Sequence, residues 1–472
     1  MKPMKTLLTA ALCLALTPAY AQNAQRPDCV FPPPVEVPQE AVEFTGPIHV
    51  MTQGEDGVIR CQAEPVADEA FQVIAEDGVE PLPWHVVATQ SNNQFAFDLY
   101  AQLVEAGEAH DNLFFSPISI TAALTLTYEG AAGNTQEQFE QLLHLGGVER
   151  AGYHAALAEL LGELSGEDAP YDLTVANSLW GERTTPFRDT FLETLNTHYD
   201  AGFQAVDFIG DPEAQRDRIN SWVEEQTNDK IVDLIPEGAI DNLTRLVLAN
   251  AIYFNAAWQF PFNERLTENA TFQIGPRNAD ISFPLPTEAR MMLLPNQRLR
   301  YADLDGVDVL ELPYEGRDLS MLIILPDDMN DFEPQLSADR LSYLVSQLDY
   351  AQVRVRIPSW EMRQSTNLND PLQQLGLTDA FDFNRANFSR LTDSHNDFAI
   401  TDAMHQAYIR VDEEGTEAAA ATAIAIGARS LPPEPVDFTA DSPFVYVIRH
   451  NETGTVLFIG RMFNPEAPQA TE

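Results

Sequence analysis

The chain has 472 residues, 44% of them hydrophobic and 21% charged, enough for a sizeable core and, by length alone, for about three domains. Its charge is lopsided: 27 Lys+Arg against 72 Asp+Glu give −45, which argues against binding nucleic acid or an anionic membrane surface, since both need basic patches. Beyond Lys2 and Lys5 the only lysine is Lys230, and arginine carries all other fixed positive charge.

Residues 1–21 read as an export signal, with Lys2 and Lys5 as a basic start, an apolar stretch from Leu7 to Leu16, and Ala19-Tyr20-Ala21 as the cleavage site. The apolar run is too short to span a bilayer, and no later stretch is long enough. A soluble, exported protein, secreted or periplasmic, is expected. Removing the signal removes Cys13 and leaves Cys29 and Cys61, a pair that an oxidising compartment joins as one disulfide; two free thiols are the alternative. Two cysteines with only His49 and His85 nearby match no zinc spacing, so neither a metal site nor a cofactor is expected.

Residues 22–88 form an acidic, proline-rich extension with few apolar patterns, and Pro47–Cys61 suggests a hairpin turning at Asp56-Gly57. From Asn92 the texture changes: Phe95, Leu99 and Leu103, with Ala96 and Tyr100 alongside, mark an amphipathic helix. Val353 to Ile357 alternates with period two, Met321 to Leu325 is a buried-type apolar run, and Phe444–Ile448 with Val456–Ile459 flank a turn as a terminal hairpin. Helices come early and strands late without βαβ alternation, which predicts an α+β domain over 89–465 and a short tail over 466–472.

The common catalytic signatures (nucleophile elbow, zinc-protease helix, phosphate and dinucleotide loops) are absent. Carboxylate pairs such as Asp327-Asp328 and Glu413-Glu414 read as solvated surface charge in so acidic a chain. The unusual segment is 413–430. Its alanines favour helix, yet Thr416, Ala418, Ala420, Thr422, Ile424 and Ile426 alternate as one face of a strand. Arg429 is the only basic residue between Arg410 and Arg449, and Ser430 and a proline-rich stretch follow it. A surface helix and a loop offered to a protease both remain open on these residues alone.

The segment Glu413, Glu414, Gly415, Thr416, Glu417, Ala418, Ala419, Ala420, Ala421, Thr422, Ala423 resembles the reactive-loop hinge of inhibitory serpins, the serine protease inhibitors. So do Asn112–Ile120, Thr227–Pro236, Leu248–Phe254, Leu310–Tyr314, Ser320–Pro326, Ala440–Phe444 and Gly454–Arg461, all in family order. The resemblance implies a serpin fold of three β-sheets with about nine helices, and a reactive loop exposed above a five-stranded central sheet. It implies attack by a trypsin-like protease at Arg429–Ser430, insertion of the loop as a new strand, and a trapped covalent acyl-enzyme. It also implies that Ser116, Ser119, Asn250 and His405 gate insertion beneath the opening strands, and that Trp258 packs at the sheet top. Many members carry a basic residue where this chain has Ser359, so Glu413 is expected to lack an ionic partner. No basic helix lies between Tyr128 and Leu173, so no heparin-type site is expected, and the protein should be a monomer. Inhibition of arginine-accepting cysteine proteases, and a carrier or chaperone role without inhibition, are the alternatives.

Overall fold

Two units divide the chain, Met1–Pro65 and Val66–Glu472. The structure, a computed structural model, describes residues 50–53, 59–62, 84–108, 110–166, 169–199, 203–275, 277, 286–392, 398–416 and 435–465. The signal segment, Cys29 with its expected bond to Cys61, the loop residues from Glu417 onward and the Arg429–Ser430 bond lie outside the described residues. In the first unit Val50–Gln53 pairs antiparallel with Ile59–Gln62, Met51 opposite Cys61, which is the hairpin read from the sequence.

The second unit opens with helix α1 (Trp84–Ala106), so the boundary drawn at 88/89 falls inside a helix. The reason is packing: Ala88 is fully buried, and the Thr89 hydroxyl shares a hydrogen bond with Thr455 at 2.7 Å. Phe95, Ala96, Leu99 and Tyr100 bury the face that their spacing predicted. Helix α2 (Pro117–Gly130) starts on Ser116, whose side chain accepts from Ser119 N–H, and on a proline at the first turn. Every residue of α2 is buried, as befits a helix running beneath a sheet. Among the described residues there are nine α-helices.

The central sheet is built from β1 (Tyr171–Glu182), β2 (Phe203–Val206), β3 (Leu246–Ala257), β4 (Trp360–Asn367), β5 (Ala403–Val411) and the two-residue β6 (Gly415–Thr416), in the order β4-β5-β6-β3-β1-β2. Five strands were expected, and the sixth is the start of the segment that the resemblance likens to a hinge. The other sheet of the unit has nine strands, including Leu319–Pro326, Asp349–Pro358, Phe444–His450 and Val456–Met462, where the sequence placed them. Three sheets were expected, yet in this unit two are joined. The 18-residue strand Thr287–Leu304 runs through both halves of the larger one. Its register against Asp349–Pro358 slips between Val353 and Val355, opposite Leu294 to Gln297. Pro295 lies in that stretch and has no N–H for the ladder, so the strand bends there instead of ending.

Candidate functional site

The seam between β3 and β5 carries the features that the sequence singled out. Over its lower part the two strands pair directly and in parallel, from Ala403↔Leu248 to Ala407↔Ile252. At the top the hinge lies between them, antiparallel to both: Gly415 faces Ala257, and Thr416 faces Ala256 on one side and Val411 on the other. Gly415 is needed there for close approach, because a Cβ would stand 2.2 Å from the Ala256 carbonyl oxygen. Thr416 shares the inward face of Ala256 and Val411, is 1% exposed, and shares a 2.7 Å hydrogen bond with the Tyr314 hydroxyl. Burial raises the Tyr314 phenol well above its ordinary range, so it stays neutral.

Beneath the directly paired part, the structure brings Ser116, Ser119, Asn250 and His405 together. His405 and Asn250 stand opposite each other across the seam. The Ser116 N–H donates to His405 Nε2 at 3.1 Å, so Nδ1 carries the proton and donates to Asn250 Oδ1 at 2.5 Å. Asn250 Nδ2 then donates to the Ser119 carbonyl at 2.8 Å and the Ser119 hydroxyl at 2.7 Å, while Ser116 Oγ donates to the Leu457 carbonyl at 2.7 Å. Burial lowers the His405 pKa to about 3, which fixes the neutral ring at physiological pH. A side-chain hydrogen bond thus spans the seam, and a strand entering between β3 and β5 has to break it. Asn177 belongs to the same group through hydrogen bonds to Asn250 and to the Ser119 carbonyl, and sequence reasoning missed it. Only its ladder position opposite Asn250 places it there.

The hinge turn is bound from several directions. Asp412 Oδ1 accepts from Glu414 N–H and Gly415 N–H, forming a tight side-chain-capped turn. Trp258 donates its indole N–H to the Asp412 carbonyl at 3.0 Å and its backbone N–H to the Glu414 carbonyl at 2.9 Å, and its ring stacks on Tyr314 at 4.6 Å. Trp258 therefore sits at the sheet top, in contact with the hinge. Glu413 corrects two expectations. Its side chain is 6% exposed, so it is not solvated surface charge, and it is paired: Oε1 accepts from Arg290 at 2.5 Å and from the Thr267 hydroxyl at 2.7 Å. Ser359 does replace the expected base, but Arg290 on the adjoining strand Thr287–Leu304 supplies the cation; the Ser359 N–H donates to the Arg290 carbonyl at 2.8 Å. Among the described residues no group of His, Cys, Asp and Glu could hold a metal ion, and no helix is long and apolar enough to cross a membrane.

Residues 90–465 match the family model described as Serpin (serine protease inhibitor). The chain is 38% identical over 387 residues to the leukocyte elastase inhibitor of Bos taurus, covering 79% of this chain and 98% of that protein. It is 37% identical to the human leukocyte elastase inhibitor, over 80% of this chain and 99% of the relative. Among solved structures it is similar to uncleaved ovalbumin, with a TM-score of 0.72 and 26% identity over 80% of this chain and all of that one. Serpin48 of the insect Tenebrio molitor, a highly specific serpin, gives a TM-score of 0.69 at 30% identity, over 80% of this chain and 97% of that one.

Proposed function

The chain belongs to the serpin family, and we propose that it is a secreted suicide inhibitor of trypsin-like serine proteases, attacked at the Arg429–Ser430 bond. A guanidinium suits an acidic primary pocket, where charge-assisted bidentate bonds reward its shape. The protease serine attacks the Arg429 carbonyl, the bond to Ser430 breaks with the amine leaving protonated, and an acyl-enzyme remains. Before water hydrolyses it, the loop enters the seam between β3 and β5 and carries the acylated protease with it. The inhibitor works as a monomer, without a cofactor, and is used once.

The observation that carries this reading is the seated pair Gly415–Thr416. Continuing its register opposes Ala418 to Phe254 and Ile409, Ala420 to Ile252 and Ala407, and Thr422 to Asn250 and His405. The small inward residues then pass into the sheet without a clash. Thr422 brings a hydroxyl, donor and acceptor at once, to the place where the bond between His405 and Asn250 has been broken. Ser116, Ser119, Asn250 and His405 act in this reading as the gate.

Trypsin mixed with the purified protein is expected to give a complex that survives denaturing electrophoresis, and Arg429→Ala none. Cleavage with active trypsin released would favour the non-inhibitory reading. The relatives named above are called inhibitors of leukocyte elastase; here Arg429 is expected to leave that protease uncomplexed. N-terminal sequencing of the exported protein should begin at Gln22.

A further inference from the structure

Insertion requires β4 and β5, paired over eight positions, to move away from β3. Helix Pro212–Gln226 and the connector after it cover the face of the sheet opposite α2. Their buried apolar cluster joins Ile219, Val223 and Ile231 to Trp180 of β1 and to Val247 and Ala249 of β3, and its one member from β4 or β5 is Tyr408. Tyr408 stands one residue above the last direct pair, Ala407↔Ile252. Lower on this face the halves border a small pocket, with Ile240 and Val247 on one side and Thr401 and Met404 on the other.

The connector aims a cation at that residue. Asn228 and Asp229 take positive φ values of 51 and 58, and Lys230 N–H donates to the Thr227 carbonyl at 3.0 Å, which fixes the backbone of Lys230. Lys230 Nζ lies 5.5 Å from the centre of the Tyr408 ring, within cation–π range. Arg363, 5.9 Å from the same ring, and Glu361, which accepts from the Tyr408 hydroxyl at 3.1 Å, both stand on β4 and travel with β5. Lys230 instead reaches Tyr408 from the half that stays.

We propose that Lys230 is a positioning residue for loop insertion: through the Tyr408 ring it latches the cover to β5 and sets the rate at which the seam opens. The inference rests on the insertion reading above.

The test needs no protease. A fluorescein-labelled synthetic peptide of the sequence Thr416–Gly427 is mixed with the full chain, and its uptake is followed on non-denaturing gels, with trypsin-complex formation and the thermal midpoint read beside it. Lys230→Gln is expected to take up peptide about fivefold faster than wild type, the factor set by an ordinary cation–π contact. Lys230→Arg and Tyr408→Phe keep cation and ring, and should keep the wild-type rate. A purely structural role would lower the midpoint of Lys230→Gln without speeding uptake. Uptake by Lys230→Gln at the wild-type rate, with trypsin still trapped, overturns the latch and leaves the insertion reading standing. An equal acceleration in Lys230→Arg also overturns it. Absence of uptake in every variant, together with absence of a trypsin complex, overturns both.

Discussion

Placing an arginine at Thr416 tests whether the inward face of the hinge decides inhibition. Thr416 is 1% exposed, wedged between Ala256 and Val411, with its hydroxyl on the buried phenol of Tyr314. Thr416→Arg puts an unpaired cation where the described neighbours offer no carboxylate, and it removes the partner of Tyr314. The hinge should leave the sheet in the resting protein, and re-entry after acylation then carries the full burial penalty. Such a penalty amounts to several kcal/mol after relaxation. If about 3 kcal/mol of it reaches the insertion barrier, insertion slows roughly 150-fold. Acylation at Arg429 is untouched, so hydrolysis should win, leaving a chain cleaved after Arg429 and active trypsin. Titration of trypsin with the variant, followed by gel electrophoresis and sequencing of the new N-terminus, reads both outcomes. Glu417→Arg is the control, because the alternation of an inserted strand would turn its side chain outward. Full trapping by Thr416→Arg, or equal loss in both variants, would refute the argument.

Arg290→Ala strips the buried Glu413 carboxylate of its cation, and because Arg290 is 55% exposed the loss should be about 1–2 kcal/mol, less than for a fully buried pair. Denaturant unfolding measures it; an unchanged midpoint would show that the pair holds nothing. His405 is held neutral by burial, with a pKa of about 3 against the ordinary 6.5, so the unfolded chain binds a proton that the folded one refuses as pH falls below 6.5. Stability should therefore drop between pH 6.5 and 5 by up to about 1.4 kcal/mol per unit, and His405→Gln should flatten that slope; equal slopes would contradict the sign. Deleting residues 22–82 leaves α1 whole and should leave trypsin trapping intact, whereas a folded truncation that fails to trap would give the extension a role in inhibition. Peptide mapping without reduction should recover Cys29 joined to Cys61, and two alkylatable thiols would end that assignment.

Local pattern carried much of the fold. Helix α1 and the late strands are legible because apolar residues repeat with the period of the element that buries them. The hinge needed more: alanine propensity favours helix, and Gly415 and Thr416 are strand because β3 and β5 present open edges to them. The Ser116, Ser119, Asn250 and His405 group became readable through the resemblance, not through spacing, since Ser116 and His405 lie 289 residues apart in the chain. Arg290 stayed hidden for a related reason. Its carboxylate partner is 123 residues away, in the turn between β5 and β6 of the other sheet, so nothing near either residue announces the pair. In a chain of −45 charge, one buried glutamate is lost among exposed ones until burial is known.

The seated Gly415–Thr416 pair also bears on how any strand growing from it begins. A free segment that joins a sheet pays first for bringing two distant points together and then for sampling offsets, and an offset of one residue turns every side chain to the wrong face. Here the end of the segment is already in the ladder, and the tight contact of Gly415 with the Ala256 carbonyl leaves no room for a slipped neighbour to take its place. Growth from this point has no encounter step and no choice of alignment. It is extension of a zip whose slider is already engaged, so its speed is governed by how readily the teeth ahead, β3 and β5, come apart.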